Sequence, residues 1–481
     1  MTERDHYGRA ISRNDLSREM NDKVPTSANE VDGAVGSNVL TQCRVCGRSS
    51  FRDVLDLGEL AVSDFGRDTE PHYAPLALVL CDPSTGGCSF VQLKHRAIDR
   101  DLLYRRYWYR SGTNESMRMA LASIAASGRD LVGLGSGDIV VDIGANDGTL
   151  LRSYRDEGVV RVGFEPAANL VAEARAGTDV IIPEFFTAGA FLDHLGARSR
   201  AELITSIAMF YDLENPHDFV RDIARILAPD GLWIIQMAYL PTMYATNNFD
   251  NICHEHVGYY SLEVMKTLLS RHGLSVRDVE LNDVNGGSFR LYVGHHDTRP
   301  RWADRAGARR VEELSRRENA LGLHLPGTHQ GFRQRIAALK ADIPEFVRQE
   351  MAAGKVFHVY GASTKGNTIL QYLGLDHRHF AMAAERSPHK WGLRTAATDI
   401  PIVSEDESRQ AGPDYYFVLP WHFRDSFVTR ETAFLREGGQ MIFPLPEPTV
   451  VRLVNGAPHA LPLRDALVGR QDDVARSPAA S

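Results

Sequence analysis

The feature that most constrains the fold is an uninterrupted strand, tight loop and helix start, Val140-Val141-Asp142-Ile143-Gly144-Ala145-Asn146-Asp147-Gly148-Thr149-Leu150-Leu151. A short β-branched run that ends in an acid and a glycine suits a buried parallel strand delivering its loop to the carboxyl edge of a sheet. A second opening of this kind, Val356-Phe357-His358-Val359-Tyr360-Gly361-Ala362, lies far downstream. Apolar runs alternate with helical patterns after each: Arg161 to Glu165, Ala201 to Met209 and Gly231 to Gln236 in one series, Tyr415 to Pro420 and Gln440 to Pro444 in the other. Such alternation predicts βαβ units, so the expected class is α/β with two Rossmann-like domains.

At 481 residues the chain exceeds one ordinary core, which predicts two or three domains. Residues 1–38 are polar without an apolar period and are expected to be disordered. A small cysteine module is expected over 39–100, with the strand-like run Pro75 to Leu80, and a central domain over 101–298, with a helical tract from Glu115 to Ala126 and Ser288 to Val293 as its last strand. A charged helical connector over 299–350, a C-terminal Rossmann-like domain over 351–455 and a frayed tail over 456–481 complete the division.

The net charge is -8, and the arginines between Arg309 and Arg317 alternate with Glu312, Glu313 and Glu318 like a solvated helix face, which argues against nucleic acid. No apolar run approaches the roughly 20 residues that cross a bilayer, so no membrane partner and a cytoplasmic location are expected. The chain is expected to be a monomer or a small homo-oligomer acting on a small molecule.

Five cysteines cannot form a disulfide scaffold in a chain of this length, and four are spaced for ligation. Cys43 and Cys46 stand in a Cys-x-x-Cys turn before Gly47; Cys81 and Cys88 flank Asp82-Pro83-Ser84-Thr85-Gly86-Gly87, a wider pair than a standard knuckle. Four thiolates would close a tetrahedral shell around a structural zinc with no open position for catalysis. Two ordinary buried cysteine pairs are the alternative.

In the first loop, Gly-x-Asn-Asp-Gly replaces Gly-x-Gly-x-x-Gly, and Glu165 follows about 20 residues on, where an acid meets ribose hydroxyls. This favours S-adenosylmethionine over NAD, with Asp142, Gly144, Asn146, Asp147, Gly148, Glu165 and Pro166 as candidate cofactor residues; an unrelated glycine turn is the alternative. After the run ending near Met237 comes Phe249-Asp250-Asn251-Ile252-Cys253-His254-Glu255-His256-Val257-Gly258-Tyr259-Tyr260. Two imidazoles, the Glu255 carboxylate and two phenols in one strand-end loop suit general acid/base work by His254, Glu255 or His256, a neutral imidazole being able to take a proton. A His-x-His metal site and an inert surface loop are the competing readings. The segment Gly361-Ala362-Ser363-Thr364-Lys365-Gly366-Asn367-Thr368 would set backbone N–H groups and Lys365 before a diphosphate, and Glu385 before a ribose, unless that domain merely closes the site.

With Leu55-Asp56-Leu57-Gly58 and Tyr107-Trp108-Tyr109-Arg110-Ser111 added to these motifs, the chain from about Cys43 to Pro446 resembles the zinc-containing sugar C-methyltransferases. That resemblance implies a small zinc module, a central class I methyltransferase domain and a C-terminal Rossmann-like domain, with a nucleotide-linked ketodeoxysugar as substrate. It implies His256 as the base that removes the proton next to the ketone, Glu255 as an orienting group and Tyr107, then Tyr109, as hydroxyl donor. Cys253, a weak donor, stands where some relatives carry tyrosine, and Gly361, Lys365, Asn367 and Glu385 would hold the nucleotide. An O- or N-methyltransferase, an NAD-dependent oxidoreductase and a non-enzymatic zinc scaffold are the rivals.

Overall fold

The computed structural model describes residues 38–62, 71–96, 100–105, 107–155 and 158–466. The tails expected to be disordered or frayed, residues 1–37 and 467–481, lie outside these.

Strand β1 (Asn38–Val39) leads into the first cysteine turn. β2 (Phe51–Ala61), β3 (Tyr73–Cys81) and β4 (Val91–Leu93) then form an antiparallel sheet, and β5 (His95–Arg96) returns to pair with β1. Asn114 caps the helix Glu115–Val132 by accepting the N–H of Ser116, as a short Asx side chain does at a helix start.

The central sheet contains β6 (Ile139–Ile143), β7 (Val160–Phe164), β8 (Val180–Ile182), β9 (Ala201–Ile207) and β10 (Leu227–Ala238). After β11 (Gly258–Tyr259), which leaves this sheet, β12 (Leu274–Asn282) and β13 (Ser288–His295) complete it. The order is β12-β13-β10-β9-β6-β7-β8, with β13 antiparallel to both neighbours. This is the Rossmann-like class I methyltransferase arrangement. β6 and β9 are almost wholly buried, because helices cover both faces of a parallel sheet.

The C-terminal sheet contains β14 (Phe357–Tyr360), β15 (Ala383–Glu385), β16 (Ile402–Ser404), β17 (Tyr415–Val418), β18 (Gln440–Phe443), β19 (Thr449–Val454) and β20 (Ala457–Pro462). Its order, β16-β15-β14-β17-β18-β19-β20, repeats in the first five strands the parallel order of the central sheet. β20 falls inside the segment expected as tail. Asn455 and Gly456 both take positive φ, the turn that an Asn-Gly pair favours between antiparallel strands, and so extend the sheet by a hairpin.

The connector forms helices Arg305–Leu321 and Pro326–Ala352. The second is more than a charged spacer: Phe332, Ile336, Leu339 and Ile343 join a buried cluster that includes Leu55 and Leu76 of the cysteine module and Phe357 and Val359 of β14. Each such side chain, fully buried, contributes about 1.5–3 kcal/mol. Module, connector and C-terminal sheet therefore share one core. Among the described residues no helix is long and apolar enough to cross a membrane.

Candidate active site

The carboxyl ends of both sheets open on one cavity of about 1470 Å³, larger than the roughly 300–1,000 Å³ that holds a single small ligand. Gly144 and Asn146 reach it from the end of β6, Glu165 and Pro166 from β7, and Tyr211 and Asp212 from β9. Gly361 and Lys365 enter from the end of β14, Glu385 from β15.

On the first loop, Gly144 has φ +75, a conformation that L side chains rarely adopt. Asp142 is buried and accepts the Thr205 hydroxyl at 2.6 Å; burial pushes its carboxyl up to about 7. Glu165 accepts the N–H groups of Asn146 and Ala167, each at 2.7 Å, and burial likewise raises it to about 7. These acids and the positive-φ turn at Gly144 fit an adenosyl ligand with a cationic amino-acid end.

Asp147 and Gly148 do not line the cavity, contrary to expectation. The Asp147 carboxylate is spent on the N–H of Gly112 at 2.7 Å and on the hydroxyl of Thr149 at 2.6 Å. Asn146 accepts the N–H of Ser111 and donates to the carbonyl of Tyr109, both at 3.0 Å. The loop thereby clamps the segment that brings Tyr107 and Tyr109 to the cavity wall.

The His-Glu-His loop is buried and held from several sides. β11 is the fourth strand of the cysteine-module sheet, Gly258 opposite Gln92 and Tyr259 opposite Val91. A Cβ at Gly258 would come within 2.6 Å of the Phe90 ring, so the close approach requires glycine. Thr368 donates to the Ile252 carbonyl at 3.1 Å, Trp421 to Asp250 at 3.1 Å, and the Tyr104 hydroxyl to the Glu255 carbonyl at 2.9 Å. The two histidines diverge. His254 turns to the module and places Nε2 3.1 Å from the Ala74 carbonyl, away from the cavity; it is not positioned for the acid/base role expected of it, and the pair forms no His-x-His metal site. His256 lines the cavity, with Nδ1 2.7 Å from the Asn251 carbonyl. A carbonyl only accepts, so Nδ1 carries the hydrogen and Nε2 keeps its lone pair. Burial, helped by the Lys365 ammonium, lowers His256 to about 3. Burial raises Glu255 to about 7 and holds the Cys253 thiol well up. The Cys253 sulfur, a Glu255 carboxylate oxygen and a His256 ring nitrogen lie within 4.8 Å of one another.

On the opposite wall, Glu385 accepts the N–H groups of Ala362 at 3.0 Å and Ser387 at 2.9 Å. Glu165 has the same two kinds of partner: a loop N–H from the preceding strand and the N–H two residues on. Lys390 donates to the Ala362 carbonyl at 2.6 Å. Asn367, expected to touch substrate, is wholly buried and does not line the cavity. Residues missed from sequence are Tyr104, Tyr211, Asp212, Lys390 and His422, all cavity-lining. Tyr211 and Asp212 carried one signal: they follow a strand of the parallel series, where functional loops arise.

In the cysteine module, Cys43 and Cys88 sulfurs are 3.7 Å apart and those of Cys46 and Cys81 3.4 Å. All four lie within 4.8 Å of one another. Ligands 2.3 Å from a tetrahedral centre stand about 3.8 Å apart, so the cluster has the dimensions of a metal site.

Residues 114–279 match the methyltransferase-domain family model, and residues 283–446 match that of the C-methyltransferase C-terminal domain. Over 420 residues the chain is 32% identical to C-methyltransferase NovU of Streptomyces niveus, covering 86% of this chain and 97% of that protein. The chain belongs to the C-methyltransferase family. This C-methyltransferase is S-adenosylmethionine-dependent. Among solved structures it is similar to the plantazolicin methyltransferase BamL, at 13% identity over 38% of this chain and 87% of that one, with a TM-score of 0.31. It is also similar to the magnesium protoporphyrin IX methyltransferase of Synechocystis PCC 6803, at 14% identity over 38% of this chain and 87% of that one, with a TM-score of 0.29.

Proposed function

We propose that this C-methyltransferase methylates the carbon next to a ketone on a nucleotide-linked deoxysugar, with zinc held by Cys43, Cys46, Cys81 and Cys88. The observation that carries the reading is the single cavity onto which Gly144, His256 and the second loop-and-acid pair, Gly361 and Glu385, all open. One end has the acids for an adenosyl ligand; the other has an acid for a second ribose and Lys365 and Lys390 for a diphosphate.

His256 Nε2 would take the proton from the carbon next to the ketone, an imidazole that stays neutral at cellular pH being ready to accept. Glu255 and Tyr107 would orient the sugar, and Cys253 would shape the wall beside it. S-adenosylmethionine, when bound, supplies an electrophilic methyl group. Glu165 and Asp142 would hold its ribose and amino-acid ends. Mass spectrometry after incubation with S-adenosylmethionine and a panel of nucleoside-diphosphate 4-keto-6-deoxyhexoses tests the reading. The expected product is heavier by one methylene, with loss of deuterium from the labelled carbon beside the ketone. Methylation of oxygen or nitrogen, with that deuterium retained, would sink it.

A further inference from the structure

Removing a proton beside a ketone moves an electron pair onto the ketone oxygen, and a buried site needs a donor there. The residue next to Tyr211 offers one. Asp212 is carried by the turn Phe210–Asp212 at the end of β9 and lines the same cavity as His256 and Glu255. Its Oδ1 is buried without a hydrogen-bond partner among the described residues, and such an orphan in a native fold calls for a ligand or a proton. The groups facing it are the Tyr104 phenol, within hydrogen-bonding reach of its carboxyl, and the Glu255 carboxyl. Cys253 and the phenols of Tyr107, Tyr211, Tyr259 and Tyr260 also feel its charge. Among the described residues no ammonium or guanidinium stands close enough to offset the burial.

We propose that Asp212 is the donor that holds the enolate oxygen while His256 takes the proton. The role rests on the ketosugar reading above. In the step, the C–H bond breaks, its proton passes to Nε2 of His256, and its electron pair forms the C=C bond of the enolate. The carbonyl π pair moves to oxygen, which accepts the Asp212 O–H. When the enolate carbon forms its new bond to the methyl group, the methyl–sulfonium bond would break with its electron pair left on sulfur, giving S-adenosylhomocysteine, while the C=O bond is restored and Asp212 keeps its proton. Burial, with Glu255 adding to it, holds the Asp212 carboxyl well above the usual carboxylate range, which favours the protonated form that the role requires. A carboxylic acid kept neutral by an apolar site is a known oxyanion donor.

The test compares the full-length wild type with Asp212→Asn and Asp212→Leu, using a 4-keto-6-deoxyhexose nucleotide and, separately, S-adenosylhomocysteine alone. Asn keeps an N–H donor of similar shape, so its kcat should stay within about tenfold of wild type, while Leu should lose about 10²-fold or more at unchanged KM for S-adenosylmethionine. Wild-type activity should fall on the alkaline side as Asp212 ionises, and this limb should vanish in Asp212→Asn, whose amide does not titrate. A wild-type-minus-Asn infrared difference spectrum of the S-adenosylhomocysteine complexes should show a protonated carboxyl stretch. Wild-type turnover in Asp212→Leu, an unchanged alkaline limb in Asp212→Asn, or no such band would each overturn the role. Turnover of no ketosugar by the wild type would sink the substrate reading and this role together.

Discussion

Tyr211 lays its ring against the imidazole of His256, 4.1 Å between centroids, and closes one face of the proposed base. With Nδ1 tied to the Asn251 carbonyl at 2.7 Å, the ring has one orientation and a single lone pair to offer. Its neighbour His254 is committed to Ala74.

His256→Ala should keep S-adenosylhomocysteine affinity and lower turnover about 10²-fold or more, since it removes the proton acceptor and leaves the first loop untouched. His254→Asn should stay within a few-fold of wild type. Calorimetric titration beside initial rates reads both, and the reverse ranking would move the base to His254.

The two ribose acids should separate by substrate. Glu165→Ala is expected to raise KM for S-adenosylmethionine with little change for the sugar nucleotide, and Glu385→Ala to do the opposite, each by about tenfold or more, the effect of one or two lost hydrogen bonds to a charged group. Saturation curves with each substrate varied in turn check this; both variants acting on the same KM would refute a divided cavity.

Asp142 links cofactor binding to pH. Its carboxyl moves from an ordinary 3.8 to about 7 on folding, so the folded chain holds a proton that the unfolded chain releases across that window. Stability without ligand therefore falls as pH rises from about 4 to 7. Asp142→Asn should gain in Tm relative to wild type over that range and bind S-adenosylmethionine more weakly. A difference in Tm that does not change with pH would contradict the buried acid.

Cys43→Ser should release one equivalent of zinc and lower Tm, because metal binding and folding of such a module are coupled. Since β11 completes the module sheet, kcat should fall at temperatures where the central domain is still folded. Metal analysis with circular dichroism and rates measures this, and full activity in a zinc-free but folded protein would detach the module from the site.

Much of this architecture was legible in order along the chain. The openings at Gly144 and Gly361, the acids at Glu165 and Glu385 and the thiol pairs are set by local periodicity and spacing, which determine strand, turn and helix within a few residues. Even the Asn455-Gly456 hairpin, read as tail, was written locally. Asp147 was misplaced because a loop acid looks alike whether it faces a ligand or the backbone of Gly112.

What sequence alone determined is therefore the series of βαβ units, their loops and a four-thiol cluster. Only the tertiary structure decided which histidine faces the cavity, that the loop joins the cysteine sheet as β11, that both sheets open on one space, and that Asp212 is buried beside Glu255 and Tyr104. Those outcomes depend on desolvation and edge pairing between residues such as Tyr259 and Val91. Burial is a property of whatever chain arrives from afar, and no local pattern encodes it.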